Sequence, residues 1–225
     1  MKIAALFSGA KDSTFAIYKA IQMGHEVRYL VSLVSENPES YMFHHPNVEW
    51  TRLQSESMGI PIVTKKTAGE KEKELEDLKR VLREIKPGIE GIVSGALASQ
   101  YQKSRIDDVC QKLGLKSIAP LWGARPEEHW NNILKSGFEI IITAVACEGL
   151  GREWLSRRID NKALQELKIL SDKHGFNLAG EGGEFETFVL DWPIFKKKLR
   201  IIEADGVWKG DSGFYLIKKL DLIGK

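Results

Sequence analysis

The first fourteen residues constrain the fold most, because a short apolar run at 3–7 ends in small and polar residues and an amphipathic segment follows. That order predicts a buried strand, a turn and a helix. The turn reads Ser-Gly-Ala-Lys-Asp-Ser at residues 8–13. A helix start leaves N–H donors without intrahelical partners and carries a partial positive charge, and both suit a phosphate. We therefore predict an anion-binding turn between the first strand and the first helix.

The residue types of this turn fit a phosphate ligand. Gly9 and Ala10 are small enough to let the backbone approach it. Ser8 and Ser13 offer hydroxyl donors, and Lys11 adds a mobile positive charge. The turn does not match the Walker A pattern, and an ordinary capped helix after a buried strand is the alternative interpretation.

Asp12 is the acidic member of the turn. A carboxylate beside phosphates is explained in one of two ways. It either caps the helix or holds a divalent cation between itself and the phosphates. The residues alone leave both roles open.

Apolar and amphipathic segments alternate after the turn. Strands are predicted at 3–7, 27–34, 60–63, 91–95 and 117–121, and helices at 12–23, 70–85 and 102–113. This repeated β-α-β order predicts an α/β fold with a doubly wound parallel five-stranded sheet covered on both faces.

The pattern changes after Pro126. Helices are predicted at 127–136 and 163–174, on either side of a long apolar run at 140–147, and the rest is rich in glycine and strand-forming residues. We predict two domains, an α/β domain over 1–124 that carries the anion-binding turn and a smaller α+β domain over 125–225.

Ligands of such a sheet bind at the carboxyl ends of its strands, near the switch in strand order. The predicted loops 8–13, 35–45 and 94–100 all lie there. We expect the adenine of a nucleotide to contact the backbone of Val31, Ser32 and Leu33, and Gly95 to belong to the same site.

Two adjacent histidines, His44 and His45, fall in the second of these loops. Neighbouring side chains of an extended loop point in opposite directions, and no third ligand stands at a suitable spacing. We therefore favour a loop that lines the substrate cleft over a metal site, with His44 as a substrate-binding residue.

An acidic, glycine-rich motif occupies residues 180–191. Its carboxylates Glu181, Glu184 and Glu186 surround a Gly182-Gly183 pair. If a strand starts near Glu184, period-two geometry puts Glu184 and Glu186 on one face. Such a pair suits a cation, a general base or a metal, and mutual repulsion would raise one pKa. The alternative is a polar hairpin loop with solvated acids.

Composition excludes several classes. The 33 basic and 31 acidic residues leave a formal charge of +2, so nucleic acid is not an expected partner. No apolar run approaches the ~20 residues that cross a bilayer, and no signal peptide is expected. The two cysteines, Cys110 and Cys147, form no metal or disulfide pattern, which fits a cytoplasmic protein. Cys110 shares a predicted helix face with apolar residues and should be buried.

The order Ser-Gly-x-x-Asp-Ser resembles the pyrophosphate loop of the ATP pyrophosphatase superfamily, whose fold is adenine nucleotide alpha hydrolase-like. The usual form has a second glycine where this chain has Ala10. Taken in order, the segments 8–13, 99–105 and 181–187 resemble the diphthine–ammonia ligase family over nearly the whole chain. A Gly149-Leu150 pair followed by Trp154-Leu155 is similar to another segment of that family, with Ser156 in place of a glycine.

The resemblance implies ATP-dependent amidation by ammonia of the diphthine carboxylate on translation elongation factor 2, with release of AMP and pyrophosphate. The expected catalytic residues are Lys11, Asp12, Glu184 and Glu186, and Asp12 is the expected ligand of Mg²⁺. The resemblance also makes 1–124 the ATP-binding domain and 125–225 the substrate-binding domain. The expected substrate-binding residues are His44, Tyr101, Gln102, Arg105, Glu181, Gly182, Gly183, Glu184, Glu186 and Thr187.

Several points stay open at this stage. The trimethylammonium group of diphthine would suit an aromatic face, and Tyr101, Trp122 and Trp192 are candidates for it. Arg105 would either neutralise a phosphate or pair with Asp108. The alternatives in function are another adenylating ligase or tRNA modifier on the same fold, and a non-catalytic nucleotide-binding regulator. A homodimer is left open.

Overall fold

The computed structural model describes residues 1–35, 47–69 and 71–225, without the side chains of residues 71 and 72. The chain divides into two units, Met1–Gly123 and Ala124–Lys225. Each unit has a sheet of its own. The predicted domain boundary, between 124 and 125, lies one residue from this division.

A parallel five-stranded sheet forms the first unit, in the order β3-β2-β1-β4-β5. Its strands are β1 (Lys2–Leu6), β2 (Glu26–Ser35), β3 (Ile62–Thr67), β4 (Gly91–Val93) and β5 (Lys116–Ile118). The chain moves outward from β1 to β3 and then continues on the other side of β1. The strand order therefore reverses beside β1, where the loops after β1 and β4 adjoin. The predicted fold class is confirmed.

Helices cover both faces of this sheet. They are α1 (Lys11–Gln22), α2 (Thr51–Met58), α3 (Lys71–Ile85) and α4 (Gln100–Leu113), and a short 3-10 turn spans Lys86–Gly88. On one face, Ala4 packs in a core with buried leucines of α3 and with Cys110 of α4. Alternation directs Ile3 and Ala5 to the opposite face, where α1 buries Phe15.

The first unit differs from the prediction in two places. The helix α2, after a 3-10 turn at Val48–Trp50, was not predicted because its sequence is polar and lacks apolar periodicity. The strand β3 begins two residues later than the predicted 60–63 and runs on through Lys65 and Lys66. Those lysines are exposed because β3 is an edge strand, which needs no apolar alternation to pair.

The second unit has an antiparallel four-stranded sheet in the order β7-β6-β9-β8. Its elements are α5 (Pro126–Lys135), β6 (Glu139–Val145), a 3-10 turn at Arg152–Trp154, α6 (Asn161–His174), β7 (Phe185–Asp191), β8 (Lys198–Lys209) and β9 (Ser212–Ile223). Trp130, Trp154 and Trp192 are fully buried. The predicted α+β architecture is confirmed. Within the described part of the chain, no helix combines the length and apolar character needed to cross a bilayer.

Candidate functional site

The turn between β1 and α1 has the backbone of an anion-binding loop. The helix begins at Lys11 behind the N-cap residue Ala10, and no described side chain caps it. Gly9 has φ +80°, in the left-handed region. Ala10 has φ −79° and ψ 169°, which any residue adopts. A helix start after a glycine turn of this kind directs its first N–H groups to where an anion can bind.

The hydroxyls of Ser8 and Ser13 close this loop. Their Oγ atoms lie 3.1 Å apart, and Ser13 Oγ accepts from the Ser8 N–H at 3.3 Å. The Ala10 N–H donates to Ser8 Oγ at 3.4 Å, and Ser13 Oγ donates to the Ala10 carbonyl at 3.2 Å. These hydrogen bonds are long for their types. An anionic phosphate oxygen is a stronger acceptor than a hydroxyl and would compete well for the donors.

Lys11 and Asp12 form an ion pair at the start of α1. Lys11 Nζ lies 2.7 Å from Asp12 Oδ2, and the two side chains are 4% and 21% exposed. Asp12 does not cap the helix, so the first of its two predicted roles is wrong. The pair holds an ammonium and a partly exposed carboxylate beside the loop, which are the groups that a phosphate and a divalent cation would need.

Gly95, in the loop after β4, lies against the start of α1. A Cβ at this position would lie 2.7 Å from Ser13 N and 2.8 Å from the carbonyl carbon of Asp12. The loop after β4 can therefore approach the helix start this closely only with a glycine. The structure brings together two of the segments that we predicted to bind a nucleotide.

The predicted adenine-binding residues Val31, Ser32 and Leu33 lie in β2 and are buried. The Val31 carbonyl accepts from Phe7 N at 2.8 Å, next to the last residue of β1 that pairs with β2. Main-chain groups two residues apart in a strand point to the same side, so the N–H and C=O of Leu33 point to the side of β2 on which Val31 meets β1. Leu33 lies beyond the end of β1. Ser32 Oγ is buried and has no hydrogen-bond partner among the described residues.

Sequence reasoning missed Gln54 of α2. Its side chain is fully buried, and Nε2 donates to the Gly9 carbonyl at 3.0 Å. No local signal announces this hydrogen bond, because its partners stand 45 positions apart and the helix itself was not predicted.

The other predicted substrate-binding residues of the first unit, Tyr101, Gln102 and Arg105, lie in the first two turns of α4. Ser99 caps this helix by accepting from the Gln102 N–H at 3.3 Å. The Arg105 guanidinium carbon lies 3.6 Å from the centre of the Tyr101 ring. One face of Tyr101 therefore already carries a cation of this chain.

The remaining cation-binding candidates differ in exposure. Trp122 is 38% exposed, and Lys103 Nζ lies 5.5 Å from the centre of its ring. Trp192 is fully buried, between the rings of Phe138 and Phe195. Trp192 therefore belongs to the core of the second unit, and its proposed contact with a substrate cation is wrong.

The acidic motif forms a loop that leads into β7. Glu184 precedes the strand, and its carboxylate accepts the N–H groups of Asn177 at 2.9 Å and Gly182 at 2.8 Å. Gly183 has φ +84°, and a Cβ on Gly182 would lie 2.8 Å from Glu184 Oε1. The left-handed φ therefore favours a glycine at position 183, and the Glu184 carboxylate holds the turn together. The strand begins at Phe185, within one residue of the predicted start near Glu184.

Glu186 and Thr187 lie within β7. Glu186 pairs with Ala144 and Thr187 with Ile142 of β6, and Thr187 is buried. Glu184 and Glu186 are both partly exposed, and they differ in position, since Glu184 precedes β7 and Glu186 lies within it. The predicted phosphate loop, residues 8–13, belongs to the first unit and the acidic loop to the second.

Cys147 follows β6, beside the acidic loop. Burial, together with the charge of Glu184, raises the pKa of its thiol to about 11. Cys110 is buried in α4, as predicted, and burial raises the pKa of its thiol to about 11. Both thiols are therefore protonated at neutral pH, which argues against thiolate chemistry.

His44 and His45 lie outside the described residues. In the ranges that are described, His, Cys, Asp and Glu side chains nowhere gather in groups of three or more that would hold a metal. A cation at Asp12 would therefore need ligands from a phosphate and from water, as Mg²⁺ commonly does.

Comparison with known proteins identifies similar chains. The family models described as diphthamide synthase N-terminal domain and diphthamide synthase C-terminal domain match residues 1–117 and 125–223. The diphthine–ammonia ligase of Rattus norvegicus is 32% identical over 244 residues, which cover 100% of this chain and 91% of the rat protein. The diphthine–ammonia ligase of Schizosaccharomyces pombe is 33% identical over 225 residues. The match covers 92% of this chain and 37% of the fission yeast protein.

One solved structure is also similar. It is described as the predicted subunit of a tRNA methyltransferase from Methanocaldococcus jannaschii, and it matches with a TM-score of 0.45 and 15% identity over 85% of this chain and 97% of that one.

Proposed function

The chain belongs to the diphthine–ammonia ligase family, and we propose that it converts the diphthine carboxylate of translation elongation factor 2 into an amide. ATP and ammonia are the co-substrates, and AMP and pyrophosphate are the other products. The observation that carries the proposal is the turn before α1, where Gly9 at φ +80° and the buried ammonium of Lys11 lie at the helix start. That arrangement suits the pyrophosphate part of ATP.

The amidation needs an activated carboxylate, because carboxylate oxygen is a poor leaving group. In the proposed reaction a carboxylate oxygen attacks the α-phosphorus of ATP and pyrophosphate leaves, which gives an acyl adenylate. The first-turn N–H groups of α1, the hydroxyls of Ser8 and Ser13, and Lys11 would stabilise the charge on the leaving pyrophosphate. Ammonia then attacks the acyl carbon, AMP leaves, and a proton is released.

Mg²⁺ fits this site through one protein carboxylate. Asp12 would bind it together with phosphate oxygens, and the ion would neutralise charge that develops on the phosphates. The Lys11–Asp12 distance of 2.7 Å means that Lys11 must share or release that carboxylate when the cation binds.

The nucleoside would lie along the end of β2. The Leu33 main chain extends beyond the last paired residue of β1, and the buried Ser32 hydroxyl is a second polar group in this strand. Main-chain N–H and C=O groups can read the edge of a purine. Gly95 would line the same site, since its loop packs on the first turn of α1.

We propose that the acidic motif serves ammonia. Glu181 and Glu186 offer acceptors for ammonium and a base that would deprotonate it before attack. Glu184 is committed to two main-chain donors and would shape the loop rather than transfer protons. Tyr101, Gln102, Arg105 and Thr187 remain candidates for contact with the diphthine-bearing factor. A cytoplasmic setting, which two free thiols fit, is part of the proposal.

Incubation with ATP, Mg²⁺, ammonium and diphthine-bearing elongation factor 2 tests this function. We expect equal amounts of pyrophosphate and AMP, and an amide detected as a mass decrease of about 1 Da on the factor, with none of these when ammonium or factor is left out. A nucleotide-binding regulator would yield neither product. A tRNA modifier would release pyrophosphate with tRNA and ignore the factor.

A further inference from the structure

A buried glutamine of α2 forms a hydrogen bond with the main chain of the phosphate loop. Gln54 is fully buried, and its Nε2 donates to the carbonyl of Gly9 at 3.0 Å. Buried amides are costly unless they are hydrogen-bonded, so this contact fixes both partners. The hydrogen bond joins α2 to a loop 45 residues earlier in the chain.

The carbonyl that Gln54 binds belongs to the peptide between Gly9 and Ala10. This peptide is trans, since the described residues contain no cis peptide bond. In a trans peptide the C=O and the next N–H point in opposite directions. A carbonyl held toward Gln54 therefore directs the Ala10 N–H away from α2, toward Ser8 Oγ at 3.4 Å.

Gln54 also restricts the residue that can stand at position 9. A Cβ on Gly9 would overlap the side-chain oxygen of Gln54, and the Thr51 methyl carbon would lie 3.2 Å from it. The helix α2 thus packs directly on the α-carbon of the residue at φ +80°. A rotation of the Gly9–Ala10 peptide would break the hydrogen bond from Gln54 and would turn the Ala10 N–H away from Ser8 Oγ.

We propose that Gln54 is a positioning residue, which holds the Gly9–Ala10 peptide so that the Ala10 N–H donates to a phosphate oxygen. This role deepens the proposed function and rests on it. Gln54 acts through the loop and needs no contact with the nucleotide.

The test compares Gln54→Ala with Ser55→Ala on the same helix. Ser55 is also buried, and its Oγ donates to the Ile60 carbonyl at 2.6 Å, away from the loop. Each variant loses one side-chain hydrogen bond to a main-chain carbonyl. We therefore expect a urea titration to show a lower free energy of unfolding for both variants. Calorimetry with inorganic pyrophosphate and with MgATP should show about tenfold weaker binding for Gln54→Ala and unchanged binding for Ser55→Ala.

Steady-state kinetics add a second readout. Gln54→Ala should raise the KM for ATP about tenfold and leave the KM for ammonium unchanged, because only the phosphate loop is affected. General loosening of the fold would change both values, and it would affect Ser55→Ala as well.

Gln54→Glu tests the hydrogen bond itself and covers the case in which Gln54→Ala does not fold. A neutral carboxylic acid can donate to the Gly9 carbonyl, whereas a carboxylate cannot and would also repel phosphate. Burial at this position raises the pKa of an introduced carboxyl group toward neutral pH, so the pyrophosphate affinity of this variant, relative to the unmodified protein, should recover as the pH falls from 8 to 6.

The outcomes separate the two proposals. Unmodified protein that binds neither pyrophosphate nor MgATP overturns the proposed function, and the role of Gln54 falls with it. Normal binding by the unmodified protein, with equal affinity in Gln54→Ala or a flat pH response of Gln54→Glu, overturns the role of Gln54 alone.

Discussion

Gly9 and Ala10 of the phosphate loop differ in whether the backbone tolerates a side chain. Gly9 stands at φ +80°, where an added Cβ would also meet the side chain of Gln54. Ala10 stands at φ −79° and ψ 169°, so its methyl group imposes no backbone strain. The departure of this chain from the usual second glycine at position 10 is therefore compatible with the loop.

This difference predicts opposite outcomes for two small substitutions. Gly9→Ala should lower stability by about 1–2 kcal/mol because of its left-handed φ, and it should weaken MgATP binding at least about tenfold because the loop must shift. Ala10→Gly should keep MgATP binding within about twofold and cost no more than about 1 kcal/mol. Urea unfolding and calorimetry measure both. Equal effects of the two changes would contradict the assigned loop geometry.

A second prediction concerns the Asp12 carboxylate. Asp12→Asn should lower pyrophosphate release at least about a hundredfold, because the amide has no charge for Mg²⁺ or for Lys11. Circular dichroism should show an intact fold. The matched control is Asp77→Asn on α3, which removes a carboxylate of similar exposure, 18% against 21%, that pairs with Arg80. Near-normal turnover in Asp12→Asn would remove its metal role.

At the scale of elements, the acidic loop combines two glutamates of different kinds. Glu184 ties the turn before β7 through two main-chain N–H groups, whereas Glu186 lies in the strand itself. The sequence predicted a shared role for the pair as a cation site, a general base or a metal site, whereas the carboxylate of Glu184 accepts two main-chain donors of the turn. The change of role comes from Gly182 and Gly183, which fold the chain back onto Glu184.

The two glutamates should therefore respond differently to substitution. Glu184→Ala should speed amide hydrogen exchange in residues 177–183, because it frees two donors of the turn. Glu186→Gln should leave that exchange unchanged and lower amidation while ATP binding is retained. Hydrogen-exchange mass spectrometry and amide yield measure these effects. Normal amidation by Glu186→Gln would reduce that residue to a structural part of β7.

The thiol that follows β6 yields a prediction about pH. Burial raises the pKa of Cys147 to about 11, so only about one molecule in a thousand carries the thiolate at pH 8. Alkylation of Cys147 by iodoacetamide, followed by peptide mass spectrometry, should accelerate about tenfold per pH unit up to that value. Cys147→Ser should keep normal amidation. Loss of amidation would instead indicate thiol chemistry at this position.

The sequence predicted the elements whose pattern is local. Buried apolar runs and amphipathic helices revealed the five parallel strands and α1, α3 and α4, although their ends shift by a few residues. The polar helix α2 has no such pattern, since it buries Gln54, Ser55 and Ser57 rather than an apolar stripe. The buried position of Trp192 could not be predicted either, because an aromatic residue in the sequence fits a hydrophobic core as well as a binding site.

The phosphate loop was predicted as a motif, but its internal bonding was not. The contacts of Gly95 with α1 and of Gln54 with Gly9 join residues that are far apart in sequence. Only the strand order places the loop after β4 beside the loop after β1. Sequence periodicity identifies strands but does not specify which hydrogen bonds their loops will make.

At the scale of the whole molecule, the near-neutral charge separates the candidate functions. Nucleic-acid binding proteins commonly carry a large excess of basic residues, whereas the formal charge of this chain is only +2. The charge therefore favours a protein substrate over tRNA. Membership of the family supports the same choice. Two compact units, each with its own sheet, also mean that a ligand of one unit need not stabilise the other to the same degree.

Ligand linkage provides the last prediction. MgATP at 100 times its Kd should stabilise the state that binds it by about 2.7 kcal/mol, which slows globally exchanging amides about a hundredfold. We expect this slowing in β1 and β4 of the first unit, on either side of the phosphate loop. Hydrogen exchange on the full chain measures it, with AMP as the control, because AMP lacks the pyrophosphate that we propose the loop binds. Slowing confined to the second unit, or equal slowing by AMP, would contradict a pyrophosphate site at the start of α1. Slowing of both units by MgATP would show that the two unfold together.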